Sequence, residues 1–171
     1  MISFHIPKGH TLNHFPGSGV TGSVFYMETP AQVLTYAVYR FAQKFKEAIP
    51  DADDGRKRLS FIAETVIGQS NVVPIKDLTL EEIEAITIED RNGTLVKTTI
   101  TTRKFPTREF HIILDSDNTV VTMFPGPMAP PLPKNNESSD FWNTHVFVKS
   151  PHDLLYPSLL GKRTHYQGRV H

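Results

Sequence analysis

An α+β domain is what the order of patterns in this 171-residue chain predicts. One helical apolar stripe comes early, strand-like alternation follows it, and turn-forming residues separate the alternating runs. A helix packed on one face of an antiparallel sheet satisfies all three observations. A chain of this length is most simply a single domain over 1–171, with a core large enough to hold without staples.

Residues 1–23 hold His, Gly, Ser and Pro without a period and read as a histidine-rich loop segment. The helix is expected over 29–49. Thr29 is a good N-cap, and Pro30 suits the first helical position, where its missing N–H is no loss. Leu34, Ala37, Val38, Phe41, Phe45 and Ile49 recur at three- and four-residue steps, and Pro50 with the acidic "DADDG" ends the run. "LSFIAETVI" at 59–67 fits a short helix or a buried strand equally, with Gly68 as a stop. "TLEEIEA" reads as a short helix, because Thr79 and Glu82 have capping-box spacing.

A β-meander is expected over 85–125. "AITIED", "TLVKTTITT", "EFHIILD" and "TVVTMF" alternate with period two and are separated by "RNG", "KFPT" and "SDN". Strict alternation puts Val120, Thr122 and Phe124 on one face of the last strand, with Val121 and Met123 on the other. In the strand before it, Phe110, Ile112 and Leu114 oppose His111 and Ile113. His111, set among apolar residues, reads as structural. Residues 126–171 comprise a Pro-rich loop, one further strand at "THVFVK", and an irregular tail.

Composition narrows the function classes. Eighteen basic residues against eighteen acidic ones leave no net field, which weighs against a protein that coats nucleic acid through many phosphate contacts. It leaves room for one local cationic pocket. No cysteine is present, so no disulfide, zinc–thiolate site or thiol nucleophile is available. No apolar run has bilayer length and residues 1–20 lack a signal-peptide apolar region, so no membrane partner is expected.

The histidines carry the chemical interest. Cleavage of RNA by internal transphosphorylation needs a base for the ribose 2′-hydroxyl, an acid for the leaving 5′-oxygen, and donors for the charge on phosphate. Imidazole suits the first two roles, and Arg, Lys or hydroxyl groups suit the third. His10, His14 and His145 are candidates for proton transfer, and Lys8, Arg103, Arg108 and Thr122 for the phosphate. Each also has an ordinary reading. Thr122 fits a strand threonine bonded to backbone, His145 a buried hydrogen-bonded histidine, and "TTRKFPTR" a solvated turn. His10 and His14 have the spacing of zinc ligands on a helix, but flanking Pro and Gly and the lack of a neighbouring acid argue against a metal. "GSGVTG" lacks the lysine of a phosphate-binding loop. No cofactor is called for.

"GHTLNH", followed by "SVFYMETPAQVLTYAVYRFAQ" and later by "TMFP", resembles the ribonuclease A-like domains that end bacterial contact-dependent inhibition proteins and related polymorphic toxins. The order of helix and sheet is also similar to the wider group of barnase, EndoU and RelE-like ribonucleases. The resemblance covers 9–45 and 95–126. His10 and His14 stand one residue closer than the family pattern, and Phe124 replaces a commoner tyrosine. The resemblance implies a metal-independent endoribonuclease toxin, with tRNA as a candidate substrate, that is secreted or delivered and acts in the target-cell cytoplasm. His14 is then general base or acid, with His10 or His145 as its partner. Thr122 contacts phosphate, Lys8, Arg103 or Arg108 adds positive charge, and Phe124 packs on a base. A cognate immunity protein is implied as partner, beside the RNA substrate. Two rivals stand next to this reading. One is a non-catalytic protein-binding or immunity-like domain that uses the 125–133 loop with Phe141 and Trp142. The other is a nucleotide-modifying toxin that uses the same histidines.

Overall fold

The structure, a computed structural model, describes residues 3–7, 10–16, 22–91, 93–133, 139–151 and 163–165. It is α+β, with four short α-helices among the described residues and three sheets. The chain divides into two compact units, Met1–Ser70 with Pro106–Pro127, and Asn71–Phe105 with Met128–His171. No helix among the described residues is long and apolar enough to cross a membrane.

In the first unit, α1 spans Pro30–Arg40 and starts as its sequence requires. The Thr29 side chain accepts from Gln32 N, and the Gln32 side chain accepts from Thr29 N. The helix expected over 29–49 is not continuous. Phe41 leaves helical geometry (φ −127°, ψ 39°), and α2 resumes over Ala42–Glu47. The break has a packing cause. It directs the Phe41 ring onto Phe61 (5.1 Å between centroids), Tyr36 (6.2 Å) and Phe110 (6.4 Å). Ile49, beyond α2, is 83% exposed and plays no part in the stripe.

Both helices cover one face of a three-stranded antiparallel sheet in the order β2 (Lys57–Ile62), β8 (Glu109–Leu114), β9 (Val120–Pro125). Residues 59–62 are thus strand, which resolves the ambiguity of that segment. Leu59, Phe61, Phe110, Ile112, Leu114, Val120 and Met123 form the apolar face, against Val33, Leu34, Ala37 and Phe45 of the helices. The faces of β9 differ from strict alternation. Leu114 pairs with Val120 while Ile113 pairs with Thr122, so Val121 is an extra residue that shifts the phase of the strand. Val120 and Met123 therefore both face the core, and Thr122 and Phe124 the opposite side. The hairpin turn places Asn118 at φ 64°, a conformation Asn tolerates. A smaller sheet joins β1 (Val24–Phe25), β3 (Gly68–Gln69) and β7 (Pro106–Thr107).

The second unit is built on a five-stranded sheet in the order β11 (Arg163–His165), β5 (Thr87–Arg91), β6 (Thr94–Ile100), β10 (His145–Lys149), β4 (Val72–Pro74). The β-meander expected over 85–125 is therefore two hairpins in two different sheets. The reason is nonlocal pairing: β6 takes β10 as a parallel neighbour, while β8 takes β2. The α3 helix (Leu80–Glu84) carries the Thr79–Glu82 capping box its sequence predicts. Inside the sheet, Lys149 Nζ donates to Glu89 Oε1 at 2.8 Å, and Glu89 is fully buried.

Candidate active site

The face of the β2–β8–β9 sheet away from the helices is polar. Cross-strand pairing lines up Ser60, His111 and Phe124 in one row, and Arg58, Ile113 and Thr122 in the next. Arg58 is neutralised there by Asp51 and Asp54. Glu109 precedes His111 by two residues and so shares its side of β8.

A 3-10 helix, His10–His14, packs along β9 and brings the N-terminal segment to this face. Two adjacent residues grip the edge strand from both sides. His14 lies against Phe124 (6.0 Å between centroids, rings at 51°), while Phe15 is buried in the core and stacked on Phe25 at 5.0 Å. His14 Nδ1 donates to the Ser23 carbonyl at 3.0 Å. A carbonyl only accepts, so Nδ1 carries a hydrogen there, with the Ser23 hydroxyl also 3.3 Å from it.

Beneath Phe124 lies His111, only 2% exposed and stacked at 5.2 Å. Its Nε2 donates to Glu109 Oε2 at 3.0 Å, and its Nδ1 is 2.9 Å from the Ser60 hydroxyl. Burial, opposed by Glu109, holds the His111 pKa below the usual imidazole value. The Thr122 hydroxyl oxygen is buried and has no hydrogen-bond partner among the described residues. A strand threonine normally bonds to backbone, and leaving a buried hydroxyl unpaired costs about 1–3 kcal/mol.

Of the residues singled out by sequence, the structure sets His14 against Phe124 and places Thr122 on the same face of β9 as Phe124. Arg108 belongs to the same unit, next to Glu109, with its Nε donating to the Ala63 carbonyl at 2.8 Å. Lys8 and the His10 side chain lie outside the described residues. His145 and Arg103 belong to the second unit. His145 Nδ1 donates to the Phe141 carbonyl at 2.8 Å, and its ring stacks on Phe141 at 3.9 Å. Trp142 donates to the Pro130 carbonyl and stacks on Phe147 at 5.0 Å, so these aromatics pack within their own unit.

Arg103 is committed to Glu82 through two hydrogen bonds of 2.7 and 3.1 Å and lies over the Phe105 ring. The guanidinium lowers the Glu82 pKa to about 2. A carboxyl depressed on folding contributes stability that is present above its unfolded value and lost as pH falls toward the folded one. Arg103→Ala is therefore expected to lower stability at neutral pH, with the gap to wild type closing as pH falls through the carboxylate range. Urea titrations at a series of pH values check this.

Glu109, His111 and Ser60 were not among the sequence candidates. A signal exists for two of them, since Glu-x-His in "EFHIIL" places two polar residues on one side of an otherwise apolar strand. In this site His14, Glu109 and Phe124 are partly exposed on the sheet face, whereas His111 and the Thr122 hydroxyl are buried. A groove of about 760 Å³ beside Tyr26, Tyr36 and Tyr39, and a cavity of about 170 Å³ beside Leu132 and Trp142, include none of its residues. No family model, curated protein or solved structure matches this chain.

Proposed function

We propose that the first unit is an endoribonuclease that cleaves RNA by transphosphorylation without needing a metal, and that it acts as a toxin inside a target cell. The observation that carries this reading is the placement of His14 beside Phe124, on the polar sheet face that also presents Glu109. Two groups able to move protons thus share a partly exposed face with an aromatic ring, an arrangement suited to a polymer rather than an enclosed small molecule. Glu109 takes the proton of the 2′-hydroxyl as that oxygen attacks phosphorus. His14 Nε2 gives its proton to the departing 5′-oxygen, leaving a 2′,3′-cyclic phosphate. Phe124 stacks on a base, Arg108 supplies positive charge, and Thr122 donates to phosphate once the side chains covering it move.

The test is incubation of the full chain with total RNA in EDTA, alongside His14→Ala, Glu109→Gln and Thr122→Ala. Expected is cleavage that survives EDTA, leaves cyclic phosphate ends, and falls by about 10²–10⁴-fold in the His14 and Glu109 variants. A folded wild-type chain that cleaves no RNA, or variants as active as wild type, would overturn the assignment. Growth arrest on cytoplasmic expression, relieved by His14→Ala, is the matching expectation for the toxin role.

A further inference from the structure

His111 is more than a core residue with satisfied nitrogens. We propose that it is a positioning residue of this site, which holds the Glu109 carboxylate and the Phe124 ring in their working geometry. The inference rests on the ribonuclease reading for its kinetic consequence, but its structural claim stands on its own.

Three features of the pocket lead there. Only one tautomer satisfies both ring nitrogens. The carboxylate of Glu109 only accepts, so Nε2 carries the hydrogen, and Nδ1 then accepts from the Ser60 hydroxyl. The ring is thereby fixed from two strands, because Ser60 is its direct cross-strand partner on β2.

The partners also divide unevenly between interior and surface. His111 is 2% exposed on its side chain, whereas Glu109 is 39% exposed. A half-exposed carboxylate does not need a buried imidazole for solvation, and burying an imidazole is unfavourable. What the pair adds is a fixed direction for the carboxylate. Finally, the same ring stacks under Phe124, whose other ring neighbour is His14. One buried side chain thus touches two of the groups that the proposed reaction uses.

The charged groups acting on the ring are Glu109 on its own strand, which favours protonation, and Lys44 of α2, which disfavours it. Burial outweighs Glu109, so the ring stays neutral with its hydrogen on Nε2. That hydrogen holds the Glu109 carboxylate in one orientation, and removing the donor frees the carboxylate to turn.

The experiment compares wild type with His111→Phe, which keeps an aromatic ring and removes the donor, and His111→Gln, which restores an N–H. Ser60→Ala serves as a milder change that leaves the ring in place. The order of the Glu109 side chain is followed by NMR relaxation in the folded full chain, and kcat and KM are taken on an RNA oligonucleotide. Expected are a more mobile Glu109 side chain in His111→Phe, restored order in His111→Gln, and a smaller loosening in Ser60→Ala. The kcat should drop about 10- to 100-fold in His111→Phe with little change in KM. A Glu109 side chain as ordered as in wild type in folded His111→Phe, or in Ser60→Ala should the former not fold, would sink the positioning role. If wild type cleaves no RNA while the Glu109 side chain loosens as described, the ribonuclease reading fails and the positioning of Glu109 by His111 stands.

Discussion

Replacing Lys149 with methionine is expected to lower the stability of the full chain by about 3–5 kcal/mol, the usual result of stripping one partner from a buried ion pair. Glu89 is fully buried, and Lys149 Nζ holds its Oε1 at 2.8 Å. Without the ammonium, a carboxylate remains inside the sheet with Thr98, itself fully buried, across the neighbouring strand. The double change Lys149→Met with Glu89→Leu removes both charges and should regain most of the loss, because apolar replacements of such pairs are often neutral. Trp142, the single tryptophan of the chain, belongs to the same unit, so its fluorescence in urea reports the transition. A single variant as stable as wild type, or a double variant no better than the single, would show that the pair does not act as described.

Phe110→Ala should cost about 3–5 kcal/mol through the cavity it leaves. Phe110 is fully buried on the central strand of the first unit, with its ring 4.8 Å from Phe61, 6.2 Å from Phe25 and 6.3 Å from Tyr36. Phe110→Leu fills more of that space and should lose less. The site sits on the neighbours of this residue, since Glu109 and His111 flank it and point to the other side of the sheet. Far-UV circular dichroism in urea measures the loss. On the proposed ribonuclease reading, RNA cleavage by Phe110→Ala is expected to fail at a lower temperature than in wild type while matching it where the variant is folded. A loss well under 1 kcal/mol would mean that the aromatic cluster relaxes around the gap.

Local chemistry was the legible part of this molecule. Thr29 with Pro30, and Thr79 with Glu82, start helices through contacts only a few residues long, and both do so as their spacing predicts. The apolar side of 109–114 and the strand at 145–149 likewise follow from alternation within one segment. Nonlocal pairing was not legible. The Ser60–His111 hydrogen bond spans 51 residues, and without it His111 looks like a core residue and Glu109 like an edge charge. Arg103 looked like a cation available to phosphate until Glu82, 21 residues earlier, claimed it. The break at Phe41 depends on rings in β2 and β8, which no helical period anticipates.

The extra residue at Val121 has a consequence for how this strand tolerates change. Removing Val121 alone would leave Val120 opposite Leu114 and Thr122 opposite Ile113 with nothing between them. The ladder would then be regular, with Val120 and Met123 still facing the core and Thr122 and Phe124 still on the polar face. Deleting Met123 instead would carry either Thr122 or Phe124 to the apolar side. The length of β9 is thus adjustable at one position and fixed at its neighbours.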